Sequence, residues 1–160
     1  MTLETEKLLD EIGWDLLRAL QEDARLSYSE LGRRVGLSAP AVVERIRRME
    51  ETGIISGYRA EVNLAKLGFS ITAFMRIESS AGNFSSLSDR LKRLPEVLEC
   101  HRVTGSDDYI AKVAVSSVAH LESLIDQFTQ SQVITLIVLS SPVLRRTIEH
   151  PPEFGSSPLE

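Results

Sequence analysis

The sequence is poor in the features that mark secreted and membrane proteins. It has one cysteine, Cys100, in 160 residues, which excludes an intrachain disulfide and fits a reducing compartment. Its longest apolar run, residues 133–139, is interrupted by Thr135 and is far too short to span a bilayer. The first residues show no basic stretch followed by an apolar one, so we expect no secretory signal. These features predict a cytoplasmic protein without membrane association.

The chain also lacks an overall excess of basic residues, since its net charge is −5. The charge is unevenly distributed, however. Residues 25–59 contain seven arginines and four glutamates, a net charge of +3, which leaves −8 for the rest of the chain. A local positive potential suits contact with nucleic acid, and an acidic remainder discourages non-specific binding.

Motifs for metal binding and catalysis are missing as well. The three histidines are far apart in sequence, and Cys100 has no second cysteine with which to share a metal. Cys100 and His101 are neighbours on a predicted strand and therefore point to opposite faces. The sequence has no glycine-rich phosphate loop and no GxSxG motif. We therefore predict no metal site, no cofactor and no enzymatic activity.

The N-terminal third is predicted to be helical. Apolar residues recur at three- and four-residue spacing over residues 8–22, which indicates one amphipathic helix. Trp14 lies off the centre of its apolar face, as a packed or an interface aromatic would. Ser27 is predicted to cap a second, short helix, because Glu30 follows at the capping-box spacing. Gly36 ends that helix, since glycine accepts the left-handed conformation that a helix end needs.

A third helix follows almost at once. Ser38 is its predicted N-cap, Pro40 lies in its first turn, and the helix runs to about residue 52. Two helices joined by a tight turn with glycine form a helix-turn-helix. The inward side chains of the third helix are predicted to be Val42, Ile46 and Met49.

The outward face of the third helix suits DNA. Its first turn is small enough to approach base edges, and its later turns carry arginines suited to guanine or phosphate. The alternative, a solvated basic face on a helical hairpin, is disfavoured by the turn chemistry and the local charge. We expect phosphate contacts from Arg25, Arg33, Arg34 and Arg47. The predicted DNA-binding residues are Ser27, Tyr28, Arg33, Arg34, Ser38, Ala39, Pro40, Glu44, Arg45, Arg47 and Arg48, of which Ser38, Ala39, Pro40, Glu44, Arg45 and Arg48 are expected near bases.

Beyond residue 62 the pattern becomes mixed. It predicts strand, helix, strand, strand, helix, strand, the order of a ferredoxin-like βαββαβ sandwich. The strands are predicted at 69–77, 97–104, 109–115 and 133–139, with a short edge strand at 143–148. One helix is predicted from Asn83 or Ser85 to about residue 94, and a second at 118–128. Two helices cover one face of such a sheet, so the other face would be an exposed apolar patch unless two copies pair through it. We therefore expect a homodimer.

The predicted fold class is α+β, in two domains. Residues 1–56 form the helix-turn-helix domain, 57–68 a linker strand, 69–150 the ferredoxin-like domain, and 151–160, rich in Pro, Ser and Gly, a flexible tail.

Both halves together resemble the Lrp/AsnC family of leucine-responsive and asparagine-type regulators. The resemblance covers residues 9–148. It is carried by the segments 26–31 (LSYSEL), 35–42 (VGLSAPAV), 45–46 (RI), 53–58 (GIISGY), 67–68 (LG), 103–105 (VTG), 108–109 (DY) and 137–142 (IVLSSP). It implies a winged-type helix-turn-helix, a ligand-sensing domain, and dimers that often assemble into octamers.

The resemblance also implies an effector site between dimers for an amino acid or a related small molecule. The residues that match it are Gly105, Ser106, Asp107, Asp108, Tyr109 and Thr135. By this resemblance Asp108 would bind the ammonium group and Thr135 the carboxylate of the effector. Asp107 is more simply explained as a hairpin turn residue. For Asp108 both roles, turn residue and ligand contact, stay open. The chain departs from the family at Gly13, where an aspartate is usual, and in a last strand with a single predicted hydroxyl.

Two alternatives to a ligand-responsive regulator stay open. The threonine-poor last strand is compatible with an architectural protein that coats DNA without sensing a ligand. The same scaffold also resembles sirohaem decarboxylases, which act on a tetrapyrrole through histidines. That reading requires His101 to point into a large cavity.

Overall fold

The structure, a computed structural model, describes residues 3–79, 84–106 and 108–150, and its fold is built from six α-helices, two short 3-10 helices and four strands within those ranges. Contacts divide the chain into two units, one made of residues 1–60 and 143–160 and the other of residues 61–142. Residues 151–160, Asp107 and the segment 80–83 lie outside the described residues, so the predicted tail and the predicted role of Asp107 are not addressed.

The first unit contains four helices: α1 (Leu3–Leu8), α2 (Glu11–Glu22), α3 (Tyr28–Val35) and α4 (Ala39–Glu51). Its core consists of the side chains Leu16, Ala19, Leu31, Val42 and Ile46. The predicted helix over residues 8–22 is wrong at its start, because the helical structure is interrupted after Leu8 and α2 begins at Glu11. Asp10 causes the break: its side chain accepts a hydrogen bond from the Gly13 amide and so caps α2.

Residues 54–70 contain no strand, so the linker strand predicted within them is not formed in the single chain. Gly53 has a left-handed conformation (φ 74°), and the Ile55 amide donates to the Met49 carbonyl, which closes the C-terminal turn of α4. A 3-10 turn at Ala65–Leu67 precedes the sheet.

The second unit is a four-stranded antiparallel sheet in the order β2-β3-β1-β4, the ferredoxin-like arrangement that the sequence predicts. The strands are β1 (Ile71–Ser79), β2 (Val97–Arg102), β3 (Tyr109–Val115) and β4 (Ser131–Ile137). Helices α5 (Phe84–Arg93) and α6 (Val118–Ile125), with a 3-10 turn at Asp126–Phe128, pack on one face. β4 begins two residues earlier than predicted and therefore carries two hydroxyl residues, Ser131 and Thr135.

The segment 143–150 differs most from its prediction. It contains no strand, and it groups with the first unit rather than with the sheet. The physical reason is its contact with α2: Gln21 exchanges two hydrogen bonds with the Ile148 backbone, and the rings of Trp14 and His150 lie 5.2 Å apart. The Ile148 amide and carbonyl are bound to a side-chain amide and are therefore not available to extend a sheet.

Candidate nucleic-acid interface and effector region

The turn between α3 and α4 forms as its residues require. Ser27 and Glu30 form a capping box, in which the Glu30 amide donates to Ser27 Oγ and the Ser27 amide donates to a Glu30 carboxylate oxygen at 3.0 Å. Gly36 ends α3 with φ 72°, a conformation costly for any residue with a Cβ. Two residues after Gly36, Ser38 Oγ accepts a hydrogen bond from the Ala41 amide and caps the start of α4. The chain therefore builds a rigid corner between the two helices.

The outward face of α4 has the predicted composition. Val42, Ile46 and Met49 are buried, while Pro40, Ala41, Glu44, Arg47 and Arg48 are exposed. Ser38 is exposed and Ala39 is half-buried beside it. The predicted surface thus exists as a contiguous strip along one helix.

The strip also contains a residue that sequence reasoning missed. Val43 is 40% exposed, although an apolar residue of this size is usually placed inside. Its signal was its position, one residue outside the inward stripe of Val42 and Ile46. An apolar side chain on such a face can contact the methyl group of thymine.

The arginines of α4 are paired with glutamates of the same helix. Arg47 donates to both carboxylate oxygens of Glu44, at 2.9 and 3.1 Å, and also pairs with Glu51. Arg48 Nε donates to Glu44 at 3.0 Å. The hydrogen bond from Arg47, followed by the charges of both arginines, lowers the pKa of Glu44, and Glu44 in turn raises the pKa of Arg47. All these side chains are about half exposed, so phosphates can compete for the arginines at little cost.

Helix α3 contributes a second basic surface. Tyr28, Arg33 and Arg34 are exposed, and Arg34 forms a loose ion pair with Glu22 at 3.6 Å. Arg25 lies exposed in the loop before Ser27, which is itself exposed at the capping box. These positions flank the corner at the start of α4.

Arg45 is placed differently from the rest of the predicted set. Its side chain is 20% exposed and forms an ion pair with Asp10, a residue that the sequence reasoning did not single out. The signal for Asp10 was present: an aspartate followed three residues later by the amide that it caps, directly before an apolar periodicity. In this structure the Arg45 guanidinium is therefore already engaged within the domain.

The predicted effector residues lie at two places in the sheet unit. Asp108 is half-buried; its carboxylate accepts from the Ser79 amide at 2.6 Å, and its own amide donates to the Ile77 carbonyl. Tyr109 is buried, and its hydroxyl donates to the Phe84 carbonyl at 3.2 Å. Gly105 (φ 121°) and Ser106 are exposed in the turn between β2 and β3.

Thr135 lies on β4, opposite Met75 of β1 and on the face that the helices cover. Its Oγ1 is buried and has no hydrogen-bond partner among the described residues. Asp108 adjoins Tyr109, which is opposite Ile77. Asp108 and Thr135 are therefore two strand spacings apart across the sheet, from β3 over β1 to β4, and about three residues apart along the strands. The distance between them is about 14 Å. One small amino acid cannot reach both residues of the same chain.

Within residues 3–79, 84–106 and 108–150, no group of three or more His, Cys, Asp or Glu side chains could hold a metal ion. No helix in the described part of the chain is long and apolar enough to cross a bilayer. His101 is exposed on β2, paired with Ile110 of β3.

Comparison with known proteins agrees with this architecture. Residues 9–50 match the AsnC-type helix-turn-helix domain, and residues 72–152 match the Lrp/AsnC ligand-binding domain. The HTH-type transcriptional regulator YezC of Bacillus subtilis is 38% identical over 135 residues, which is 83% of this chain and 95% of that protein.

Two solved structures are similar over nearly their whole length. The structure of LrpC from B. subtilis has a TM-score of 0.82 at 30% identity and covers 86% of this chain and 99% of its own. The transcriptional regulator NMB0573 from Neisseria meningitidis, solved as a complex with L-Met, has a TM-score of 0.80 at 25% identity and covers 91% and 98%. The resemblance found in the sequence is thus confirmed, and the chain belongs to the Lrp/AsnC family of transcriptional regulators, which bind DNA through a helix-turn-helix and carry a ligand-binding domain.

Proposed function

We propose that this regulator acts as a homodimer in which two copies of α4 enter successive major grooves of double-stranded DNA. The observation that supports the dimer is the exposed apolar surface on the face of the sheet that the helices do not cover. Phe74 and Leu136, which are opposite each other on β1 and β4, and Ile134 are each 39–50% exposed there. An apolar strip of this kind on a sheet is typical of an interface. Further assembly of the dimers, up to octamers, is part of the proposal.

Light scattering tests the dimer directly. Phe74→Arg and Leu136→Arg each place a charge in the strip and should give folded monomers that no longer prefer a two-half-site DNA. Val118→Arg is the matched control, because Val118 is 58% exposed on α6, on the helix-covered side. If the strip variants elute and bind DNA as the unaltered protein does, the proposed pairing is wrong.

We propose that the DNA site is an imperfect palindrome with half-sites about one helical turn apart. Arg25, Arg33, Arg34 and Arg47 contact phosphates, with Ser27 and Tyr28 at the corner of α3. Ser38, Ala39, Pro40, Glu44 and Arg48 lie near base edges, whereas Arg45, also predicted there, is held by Asp10 on the flank of α4. The exposure of most of these side chains, on the strip of α4 and on the adjoining surface of α3, supports the assignment. Footprinting on selected DNA, followed by alanine substitution at each position, tests it.

We propose that an amino acid, or a molecule of that class, binds the sheet domain and changes the assembly. Two observations support this proposal. A similar protein was solved with L-Met, and Thr135 Oγ1 is buried without a hydrogen-bond partner in the described part of the chain. Because Asp108 and Thr135 of one chain are too far apart, the site is completed by a second copy, with Gly105 and Ser106 in its turn and Tyr109 next to Asp108. Asp107, also predicted there, lies outside the described residues.

A thermal-shift screen with the twenty amino acids tests this proposal. Thr135→Val removes a hydroxyl that bonds to no described residue, so the melting temperature without ligand should hardly change while the ligand-induced shift is lost. Asp108→Asn can still accept from the Ser79 amide but no longer attracts an ammonium group. The absence of any shift with the unaltered protein would favour the second candidate, an architectural DNA-binding protein. The observation that supports this candidate is that β4 is mostly aliphatic and offers few groups to bind an amino acid.

We also propose that the chain works by binding alone, without catalysis, and that it does so in the cytoplasm, where its DNA is accessible. The decarboxylase reading would require His101 to face a bound tetrapyrrole, and an absorbance scan of the purified protein for a co-purified porphyrin checks it.

A further inference from the structure

Arg45 is part of α4 but does not belong to its exposed strip. It follows Val42 by three residues and precedes Met49 by four, and both of those side chains are fully buried. The Arg45 side chain is 20% exposed, against 52% for Arg47 and 55% for Arg48. Its Nε is buried and has no hydrogen-bond partner within the described ranges. The guanidinium therefore lies along the flank of the helix, toward the rest of the domain.

On that flank the guanidinium meets the junction between α1 and α2. Asp10 Oδ1 accepts from the Gly13 amide at 2.8 Å and also pairs with Arg45 Nη2. The same nitrogen donates to the Lys7 carbonyl at 3.5 Å. Partial burial raises the pKa of Asp10, but the Gly13 amide and the Arg45 guanidinium outweigh this effect and hold the pKa below its usual value. The carboxylate is therefore charged at neutral pH and contacts two helices at once, α2 through the Gly13 amide and α4 through Arg45.

The junction itself is tightly packed. A Cβ at Gly13 would lie 1.9 Å from the Leu8 carbonyl oxygen and 3.2 Å from the terminal methyl group of Met49 on α4. Leu8 and Met49 are both buried. Gly13 thus allows the end of α1 to approach both the first turn of α2 and the inner face of α4. The Asp10–Arg45 pair lies over the same junction, so the three helices are fixed to one another there.

We propose that Arg45 is a positioning residue rather than a base-reading one: together with Asp10 it holds α4 at a set orientation against the α1–α2 junction. The inference rests on the proposed use of α4 as the helix that contacts DNA. Contacts to base edges are directional, so a small rotation of α4 weakens all of them together. Removal of the pair should therefore lower affinity for every sequence and leave the order of preference unchanged.

Two substitutions remove the pair with little other change. Asp10→Asn keeps a good N-cap for α2, since asparagine also accepts from the Gly13 amide, but it removes the charge. Arg45→Met keeps the aliphatic stem and removes the guanidinium. Binding is measured, at a temperature where circular dichroism shows every variant folded, to a selected site and to all its single-base variants. We expect each single variant to lose about tenfold on all of these DNAs, equivalent to 1.4 kcal/mol.

The double variant Asp10→Asn/Arg45→Met should bind about as well as either single variant, because the two residues act through one interaction. Arg45→Lys keeps the charge and should fall between Arg45→Met and the unaltered protein. Arg18→Met is the matched control: Arg18 also forms an ion pair with an aspartate, Asp15, but on the exposed side of α2 and at an i,i+3 spacing.

Three results would overturn the proposal. A loss confined to one base pair would make Arg45 a base contact. Unchanged affinity in folded variants would leave the pair with no role in positioning, and additive losses would make the two residues independent. Arg48→Ala serves as a separate arm: if it weakens binding while Asp10→Asn does not, only the positioning role fails, whereas if Arg48→Ala has no effect, the proposed use of α4 fails.

Discussion

Gln21 and Ile148, which are 127 residues apart, form a reciprocal pair of hydrogen bonds. Gln21 Nε2 donates to the Ile148 carbonyl at 3.0 Å, and the Ile148 amide donates to Gln21 Oε1 at 2.8 Å. A side-chain amide here takes the place of a neighbouring strand. The end of the described chain is thereby attached to α2, although it is exposed and without regular structure.

Gln21→Glu should release this segment. The carboxylate can still accept from the Ile148 amide, but it cannot donate to the carbonyl and would repel it. Arg145 and Arg146 lie in the attached segment, so limited trypsin digestion should cut there several-fold faster in the variant. Mass spectrometry of the early fragments measures the rate, and Glu122→Gln on α6 serves as the control. Equal cleavage rates would show that the two hydrogen bonds do not restrain the segment.

Much of the fold follows from local signals that the sequence carries. Ser27, Gly36 and Ser38 act within their own turns, which explains why α3 and α4 were predicted at nearly the observed positions. The order of strands and helices was predicted for a similar reason, because each element has its own apolar period. The strand ends were less accurate, since β4 begins at Ser131 through pairing with Ser79 of β1, a partner distant in sequence.

The parts that could not be predicted depend on distant residues. Arg45 looks like its neighbours Arg47 and Arg48 in the sequence, and only the fold brings Asp10 beside it. The attachment of Ile148 to Gln21 is likewise a single contact without periodicity. Asp108 and Thr135 were each predicted as effector residues, but their separation follows from the order of strands in the sheet rather than from either residue.

Glu44 should restrain binding to DNA of any sequence. It pairs with both Arg47 and Arg48 and presents a negative charge on the strip of α4 proposed to face DNA. Glu44→Gln should therefore tighten binding to random-sequence DNA several-fold and steepen the dependence of log K on log salt by about one. A salt series of fluorescence-anisotropy titrations measures both quantities.

Glu51→Gln is the matched control, since Glu51, one turn beyond Arg47 on α4, pairs with Arg47 but with no other arginine among the described residues. It should have a smaller effect than Glu44→Gln. If Glu44→Gln instead weakens binding to the selected site at one base pair only, then Glu44 contacts a base directly, as a carboxylate accepting from cytosine would.

Tyr58 should ionise unusually late. Burial, followed by the hydrogen bond that its hydroxyl donates to Glu50 at 2.9 Å, raises the pKa of Tyr58 to about 12. Spectrophotometric titration of the phenolate should therefore show a fraction of the tyrosine signal missing near pH 11, and Tyr58→Phe should remove that late fraction. Since Tyr58 follows Gly57 in the segment after α4, the same variant tests whether this contact orders the segment.

Glu96 should make the sheet domain sensitive to acid. Its carboxylate is hydrogen-bonded to His120 Nε2 at 3.0 Å, and this contact, more than any other, lowers the pKa of Glu96. A carboxylate with a lowered pKa in the folded state contributes stability at neutral pH, and the contribution is lost as the pH falls through that pKa. Glu96→Gln should therefore lower the free energy of unfolding by about 1.5–3 kcal/mol at pH 7, the range for a hydrogen bond to a charged group, and by much less near pH 3.

Chemical denaturation at the two pH values measures this difference. His120 is also held by Ser116, whose amide and hydroxyl both lie within 3.4 Å of Nδ1, so the ring stays oriented when the carboxylate changes. His120→Gln should give a loss similar to Glu96→Gln at pH 7, and the double variant should lose little more than either single one. A loss that is the same at pH 3 and pH 7 would mean that Glu96 stabilises the domain by packing rather than by its charge.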